Sequence, residues 1–424
     1  MAANKKNSIF ATMIAMFFLN NEVSAMSEHV QSKAPSAAVE LTIATFNVSM
    51  EAENYVLDPS THTKLSPQVL QSLLMQGNHP QIKNIAAIIQ AVQPDILLLN
   101  EFDYIADPEQ GIRLFIRNFL QKSQQGGQPL NYPYVYINTV NTGQPSGFDL
   151  NRDGTKSNTE DDAWGYGKYP GQYAMALLSK YPLDEKHIRT FQHFKWKDMP
   201  NARQPRMPDQ SLWYADDAWQ QMPLSSKSHW HIPVTIHGHR LHLLASHPTP
   251  PVFDGIEKRN FHRNHDEIRF WVDYLTPNNA GYIYDDKQQK GGFDSVASAE
   301  SAFVVMGDQN ASAVEGSADK AAISALLAHP RVQNQPEPSS KGGQLHSPNN
   351  PHAAAHTAGW RMRADYVLPS KAGIKVLDSG VFWPAPTDAL HSLVASREAS
   401  SDHRLVWIKI RLETSINHLS QHNQ

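Results

Sequence analysis

Short apolar runs that end in a polar group recur along the whole chain. Residues 41–48 alternate apolar and polar positions, the period of a half-buried strand, and the run closes around Asn47. Residues 81–92 place Ile82, Ile85, Ala86, Ile89 and Val92 at helical spacing, and Pro94 stops that helix. Residues 96–99 are apolar throughout and lead into Asn100 and Glu101. Further strands are predicted at 134–137, 173–178, 303–306, 365–368 and 405–410. Residues 231–236 and 241–245 read as a hairpin about His237-Gly238-His239. A second helix is predicted over 264–274. Strands without polar alternation, such as Phe303-Val304-Val305-Met306, belong in a core with both faces covered.

Two stretches, 138–170 and 336–359, show no periodicity and are expected to be irregular. Strands recur from end to end without an internal repeat, which predicts one domain over 38–412 and a tail over 413–424. At 424 residues and 40% hydrophobic content the chain can bury a large core, and its 22 glycines and 28 prolines predict many loops.

The first 25 residues read as a signal peptide. Lys5 and Lys6 precede an apolar run from Ile9 to Leu19, and Val23-Ser24-Ala25 fits a small-residue cleavage site. The run is too short to span a bilayer comfortably, and the mature chain is expected to carry no transmembrane segment. There are no cysteines, so stability must come from packing, with bound metal as a further possible source, rather than from disulfides. A periplasmic or secreted bacterial setting fits, and a monomer is expected. A net charge of −4 argues against a general nucleic-acid coat protein but leaves room for a nucleic-acid enzyme with a local basic cleft.

Five strand ends carry polar groups: Asn47, Glu101, His247, Asp308 with Asn310, and Asp402 with His403. Any one alone is a turn residue, a cap or a surface imidazole. Their recurrence favours one site, because carboxylate, amide and imidazole groups together can bind a divalent metal and a phosphate.

The segments Thr45-Phe46-Asn47, Leu98-Leu99-Asn100-Glu101, Tyr173 to Ser179, Gly307-Asp308-Gln309-Asn310, Arg363 to Leu368 and Ser401-Asp402-His403 resemble, in order, the motifs of the endonuclease/exonuclease/phosphatase family. The resemblance implies an α/β fold of four layers, αββα, with two mixed sheets face to face and the site at one end. It implies that Glu101 is the main ligand of Mg²⁺ or Mn²⁺, with Asn47 beside it and Asp402 in the same region. Asp308 would orient or deprotonate the attacking water, and Asn310 would bond the phosphate oxygens. His403 would face the scissile phosphate with Asp365 fixing its ring, and His247 would be a second imidazole there. Asn100 stands where the family has Gln, and Gln309 where it has an apolar residue. The run Ser246-His247-Pro248-Thr249-Pro250-Pro251 makes a stiff loop after the strand.

A second pattern is independent of the first. Asp149, Asn151, Asp153, Gly154, Thr155 and Glu160 have the spacing of a calcium loop, with Asp161 and Asp162 as substitutes for Glu160. A structural Ca²⁺ ordering 138–170 is the expectation, and an acidic turn without metal is the alternative. Arg259, Arg263, His265, Asp266 and Arg269 read as a solvated helix face. His229, His231, His237 and His239 read as exposed histidines of a hairpin. Trp196, Trp213, Trp219 and Trp230 read as core or loop anchors.

The expected activity is metal-dependent hydrolysis of a phosphate ester: nucleic acid, phospholipid or small phosphoester. The rivals are a sphingomyelin-type lipid phosphodiesterase and a non-catalytic binding protein of the same fold.

Overall fold

The computed structural model describes residues 39–56 and 64–413, and the expected signal peptide and the tail beyond residue 413 lie outside them. Eleven strands and seven helices follow one another among these residues. They are β1 (Val39–Met50), α1 (Gln68–Gln76), α2 (Pro80–Val92), β2 (Ile96–Phe102) and α3 (Ile112–Phe115). Next come β3 (Tyr134–Ile137), β4 (Met175–Ser179), β5 (Arg189–Thr190), α4 (Asp216–Gln221), β6 (His229–Ile236) and β7 (His239–Ser246). The rest are α5 (Arg259–Leu275), β8 (Ala302–Asp308), α6 (Lys320–Leu327), α7 (Lys341–His346), β9 (Asp365–Pro369), β10 (Ile374–Val381) and β11 (Val406–Leu412).

The strands form two mixed sheets, ordered β10-β11-β1-β2-β4-β3 and β5-β6-β7-β8-β9. Each has one parallel pair, β1 with β2 and β7 with β8. A parallel pair needs a crossover, and these run through α1–α2 and through α5. Alternation along the strands sorts side chains between layers. In β8, Val304 and Met306 join the core that the two sheets share, while Phe303 and Val305 pack outward with α5 and α6. β7 and β9 divide in the same way, at Leu243 against Leu244 and Val367 against Tyr366. Helices α1–α3 cover the other sheet, which completes the expected four layers.

The second helix starts earlier than the apolar pattern shows. Asp254 accepts hydrogen bonds from the amides of Asn260 and Phe261, so the first turn is capped from a residue outside it. Its polar residues are not a solvated face. Arg263 is buried and donates to the carbonyls of Leu224 and Pro223, and buried Asp266 accepts from Trp196 Nε1 and Arg203 N. Of the hairpin histidines, His229 and His231 are likewise inside, His237 at the turn is exposed and His239 is half-buried. His229 reaches the carbonyl of Glu267 at 2.9 Å, and His231 bridges Tyr274 and His242 at 2.7 Å each. Imidazoles with partners on both sides can be buried, and alternation alone does not reveal those partners. Trp196, Trp219 and Trp230 are buried, and Trp213 donates to the carbonyl of Leu150.

Residues 138–170 are irregular apart from one turn at Glu160–Asp162. Asn141 clamps the stretch by donating to the carbonyls of Gln192 and Ser225. The other stretch, 336–359, contains the short helix α7.

Candidate active site

The C-terminal ends of both parallel pairs and the N-terminal ends of β9 and β11 point the same way. That end gathers Asn47 from β1, Glu101 from β2, His247 after β7, Asp308 from β8, Asp365 from β9 and His403 before β11. Open α/β sheets place ligands at this end for the same topological reason.

Local backbone strain aims several of these groups. Glu101 (φ 56°), Asn310 (φ 51°), Ser49 (φ 49°) and Tyr173 (φ 58°) are left-handed although none is glycine. Such conformations persist where the surroundings hold them, and they cluster at functional sites. Tyr173 in this state ends the predicted 173–178 strand, so β4 begins at Met175. Gly307 has φ 133°, and a Cβ there would lie 2.0 Å from the carbonyl oxygen of Ser246. Only glycine lets β8 turn Asp308 into the site against β7.

Asp308 is the centre. Its Oδ2 accepts from Asn47 Nδ2 at 3.1 Å and lies 3.5 Å from His247 Nε2 and 3.6 Å from His403 Nε2. Its Oδ1 accepts from the amide of Asn310 at 2.8 Å. Burial pushes the Asp308 carboxyl up, Asp365 adds to this, and His403, Asn310 and Asn47 oppose it. His403 Nδ1 stands 2.8 Å from Asp365 Oδ2, which also accepts from Thr357 Oγ1 at 2.7 Å. Burial alone would lower the His403 imidazole, but the charges of Asp365 and then Asp308 outweigh it and hold the ring protonated. His247 has no such carboxylate bond. Burial, then Lys227 and His403, keep it neutral.

The two departures from the family pattern are accommodated physically. Asn100 Oδ1 accepts from Thr45 Oγ1 at 3.2 Å and from the amide of Asp308 at 3.3 Å, so it ties β2 of one sheet to β8 of the other. Gln309 turns inward and shares hydrogen bonds with Ser246 Oγ, which also accepts from Trp271 Nε1. A polar side chain there is buried but satisfied.

Glu101, His247 and Asp308 offer ligand atoms within 4.8 Å of one another, as do Asp308, Asp365 and His403. Glu101 opens to a cavity, and its carboxyl is raised by burial first and by Asp402, with His403 and Asn47 opposing. His247 Nε2 is buried and lacks a hydrogen-bond partner. Two carboxylates with an orphaned imidazole and an amide oxygen suit a hard divalent cation. Asp402 stands at the edge, with Oδ1 3.3 Å from Ser49 Oγ and Oδ2 3.7 Å from Arg397. Asn310 donates its side-chain amide to the carbonyl of Pro248 at 3.1 Å.

The calcium-loop pattern is not gathered in this way. Asp149 accepts from the amides of Asp153 and Gly154, and Asp153 accepts from the amide of Thr155 and from Asn151 Nδ2. The buried carboxylate of Asp162 takes the amides of Leu150 and Ser157. Among the described residues, Asp149, Asp153 and Glu160 do not bring ligand atoms within 4.8 Å of one another. The short acidic side chains satisfy their own backbone, and Glu160 lines the cavity instead.

Several contributors carry no signal in the sequence. Trp360, half exposed, meets the His403 ring edge-on with centroids 4.7 Å apart. Thr357 sits in an irregular stretch, and Lys227 in the polar run Ser225-Ser226-Lys227-Ser228. Glu51 was also unforeseen. Burial raises its carboxyl to about 7, and Gln172 bonds it at 2.9 Å.

The sequence matches the profile of the Endonuclease/Exonuclease/phosphatase family over residues 44–403. No protein with a curated description matches the chain. Similar solved structures include an endonuclease/exonuclease/phosphatase from Beutenbergia cavernae DSM 12333, at 15% identity over 89% of this chain and 72% of that one, TM-score 0.47. Sphingomyelinase C from Streptomyces griseocarneus aligns at 14% identity over 88% of this chain and 99% of that one, TM-score 0.42. A mutant beta toxin from Staphylococcus aureus with bound magnesium ions aligns at 14% identity over 88% and 100%, TM-score 0.40. With a profile match across most of its length, the chain belongs to the endonuclease/exonuclease/phosphatase family, whose members are metal-dependent phosphoester hydrolases.

Proposed function

We propose that this protein is an exported hydrolase that attacks a phosphodiester or phosphomonoester with water, in line with the leaving alkoxide. The observation that carries the reading is one carboxylate, Asp308, set between a neutral imidazole, His247, and a protonated one, His403. Glu101, with Asn47, is the place for Mg²⁺ or Mn²⁺, which when bound supplies positive charge to the phosphate oxygens. Asp308 orients the water and takes its proton, since burial has made it a stronger base than a free carboxylate. His403, held by Asp365, places a positive N–H against the phosphate as charge grows there. Asn310 and His247 complete the phosphate contacts, and Asp402 supports Glu101 from the edge.

The test is hydrolysis of bis-p-nitrophenyl phosphate, p-nitrophenyl phosphate and plasmid DNA with Mg²⁺, Mn²⁺ or chelator. Metal-dependent cleavage of at least one is expected. Asp308→Asn is expected to lower kcat by about a thousandfold or more while moving the melting temperature little. Near-parental activity in that variant would remove Asp308 from the reaction. Failure on every ester would favour the binding-protein rival.

A second reading has support of its own. Phe253 (89% exposed) and Ile256 (67% exposed) stand on the loop after His247. Exposed apolar residues beside a cleft suit a lipid phosphodiester. Sphingomyelin and phosphatidylcholine vesicles added to the same assay separate the two readings. Export rests on the N-terminal basic, apolar and small-residue pattern. N-terminal sequencing of protein recovered from the periplasm or medium should begin near Met26.

A further inference from the structure

A cavity of about 570 Å³ leads away from Glu101 and His247, with Leu150, Tyr214 and Met222 on its buried wall. Two of its lining residues are cations in the interior. Lys227 is 4% exposed and Arg263 is 7% exposed. Among the described residues neither forms an ion pair, and Lys227 Nζ makes no hydrogen bond at all. Arg263 spends Nε and one terminal nitrogen on the carbonyls of Leu224 and Pro223. The opposite charge felt most by both is Glu267. That carboxylate is already occupied, accepting from the amide of Ser226 at 2.6 Å, from Ser226 Oγ at 3.0 Å and from the amide of Thr249 at 2.6 Å.

These bonds show a built site rather than a stray lysine. Glu267 on α5 stitches the segment bearing Lys227 to the loop bearing His247. The irregular 138–170 stretch packs on the same segment, since a Cβ on Gly165 would lie 2.1 Å from the carbonyl oxygen of Ser226. Two buried cations therefore share one buried anion whose oxygens are already taken by backbone and hydroxyl donors, and both cations line the cavity. Holding an ammonium away from water without a partner is costly, and an anion that reaches it recovers that cost. Of the cavity's acids, Asp161 is exposed and screened by solvent, Glu53 pairs with Lys168, Glu160 is half-buried on the irregular stretch, and Glu101, whose charge Lys227 feels next after Glu267, is the expected metal ligand.

We propose that this cavity receives the organic substituent of a phosphoester that carries a second anionic group, phosphate or carboxylate, held by Lys227 and Arg263 while the ester phosphorus lies at Asp308. The inference rests on the hydrolase reading above and narrows its substrate class. The apolar wall takes the body between the two anions. The geometry favours a compact, doubly anionic ester over a long duplex, whose bases would have to leave their stack to enter.

The test compares two esters with the same leaving group, thymidine 5′-(p-nitrophenyl phosphate) and its 3′-phosphate derivative. A 3′-O-carboxymethyl analogue distinguishes carboxylate from phosphate. The purified chain with Mg²⁺ should prefer the doubly anionic ester in kcat/KM by about tenfold or more, as a charge-assisted contact away from water warrants. Lys227→Met should bring the ratio to within about twofold, and Lys227→Arg should keep most of it. A parental ratio near one overturns the proposal. So does Lys227→Met slowing both esters equally, which would put Lys227 at the scissile phosphate. If neither ester is cleaved, the hydrolase reading has failed and the subsite is judged by calorimetry. Thymidine 3′,5′-bisphosphate should then bind the parent more tightly than thymidine 5′-monophosphate, and Lys227→Met should lose the difference. Equal affinities for the parent would overturn the subsite as well.

Discussion

His403 Nδ1 lies 2.8 Å from Asp365 Oδ2, and the bond joins the two sheets at the site. Asp365 opens β9 in one sheet, and His403 precedes β11 in the other. The pair therefore holds the imidazole charged and ties the two sheets together at the site. Asp365→Asn should lower kcat by roughly a hundredfold with a smaller effect on KM, because the ring loses the carboxylate that orients it and keeps it protonated. Steady-state kinetics on a chromogenic ester would check this. An unchanged kcat would mean that His403 does not act on the phosphate.

Metal dependence should depend on Glu101. Mg²⁺ or Mn²⁺ should raise the melting temperature of the parent, since a ligand of the folded state stabilises it by mass action. Glu101→Gln should abolish that rise or demand more than about tenfold higher metal for it, as the main anionic ligand is gone. Thermal melts with and without chelator read this without reference to turnover. Equal metal-induced shifts in parent and variant would relocate the site.

Gly307→Ala should be severe. The methyl would meet the Ser246 carbonyl at 2.0 Å while φ stays at 133°. Relief requires β7 and β8 to separate, which would carry Asp308 away from both imidazoles. A loss of about 3 kcal/mol or more is expected in urea unfolding, together with most of the activity. A near-neutral substitution would mean that the strands part easily.

The buried histidines of the second sheet should make stability fall in mild acid. Burial lowers His229 and His242 to about 4, with Arg240 lowering His242 further and Asp184 opposing. His231 is lowered by burial as well, then by His242, Arg189 and Arg240. Unfolded imidazoles titrate near pH 6.5, so the unfolded state binds more protons below that value. Stability is therefore full above about pH 6.5 and declines toward about pH 4. His242→Asn preserves a partner for His231 and removes one titrating group. Its loss of stability across that window should be smaller than the parent's by on the order of 2 kcal/mol, measured by unfolding at a series of pH values. A parallel decline would put the acid sensitivity on carboxylates elsewhere.

Much of the active site was legible because strands impose a short period and end abruptly. Asn47, Glu101, Asp308 and His403 stand out as polar groups at the mouths of apolar runs, and the structure brings them together. The helix over 81–92 was equally plain, with a narrow apolar stripe and a proline just beyond it. The calcium spacing does not by itself distinguish a metal loop from an acidic turn, for a physical reason. Asp, Asn and Gly at alternate positions make metal loops, but the same short side chains also bond their own backbone, and here they do.

By itself the sequence determined nine of the eleven described strands and two of the seven described helices, the strand ends that bear chemistry, and the family to which they belong. These follow from local periodicity and from motifs a few residues long. Only the tertiary structure decided that Arg263, Asp266, His229 and His231 lie inside, that Asn100 spans the sheets to Asp308, and that Lys227 faces a cavity without a hydrogen-bond partner among the described residues. Each of these depends on residues tens to hundreds of positions away. A polar side chain is buried or exposed according to whether folding brings a partner to it, and no local pattern encodes that partner.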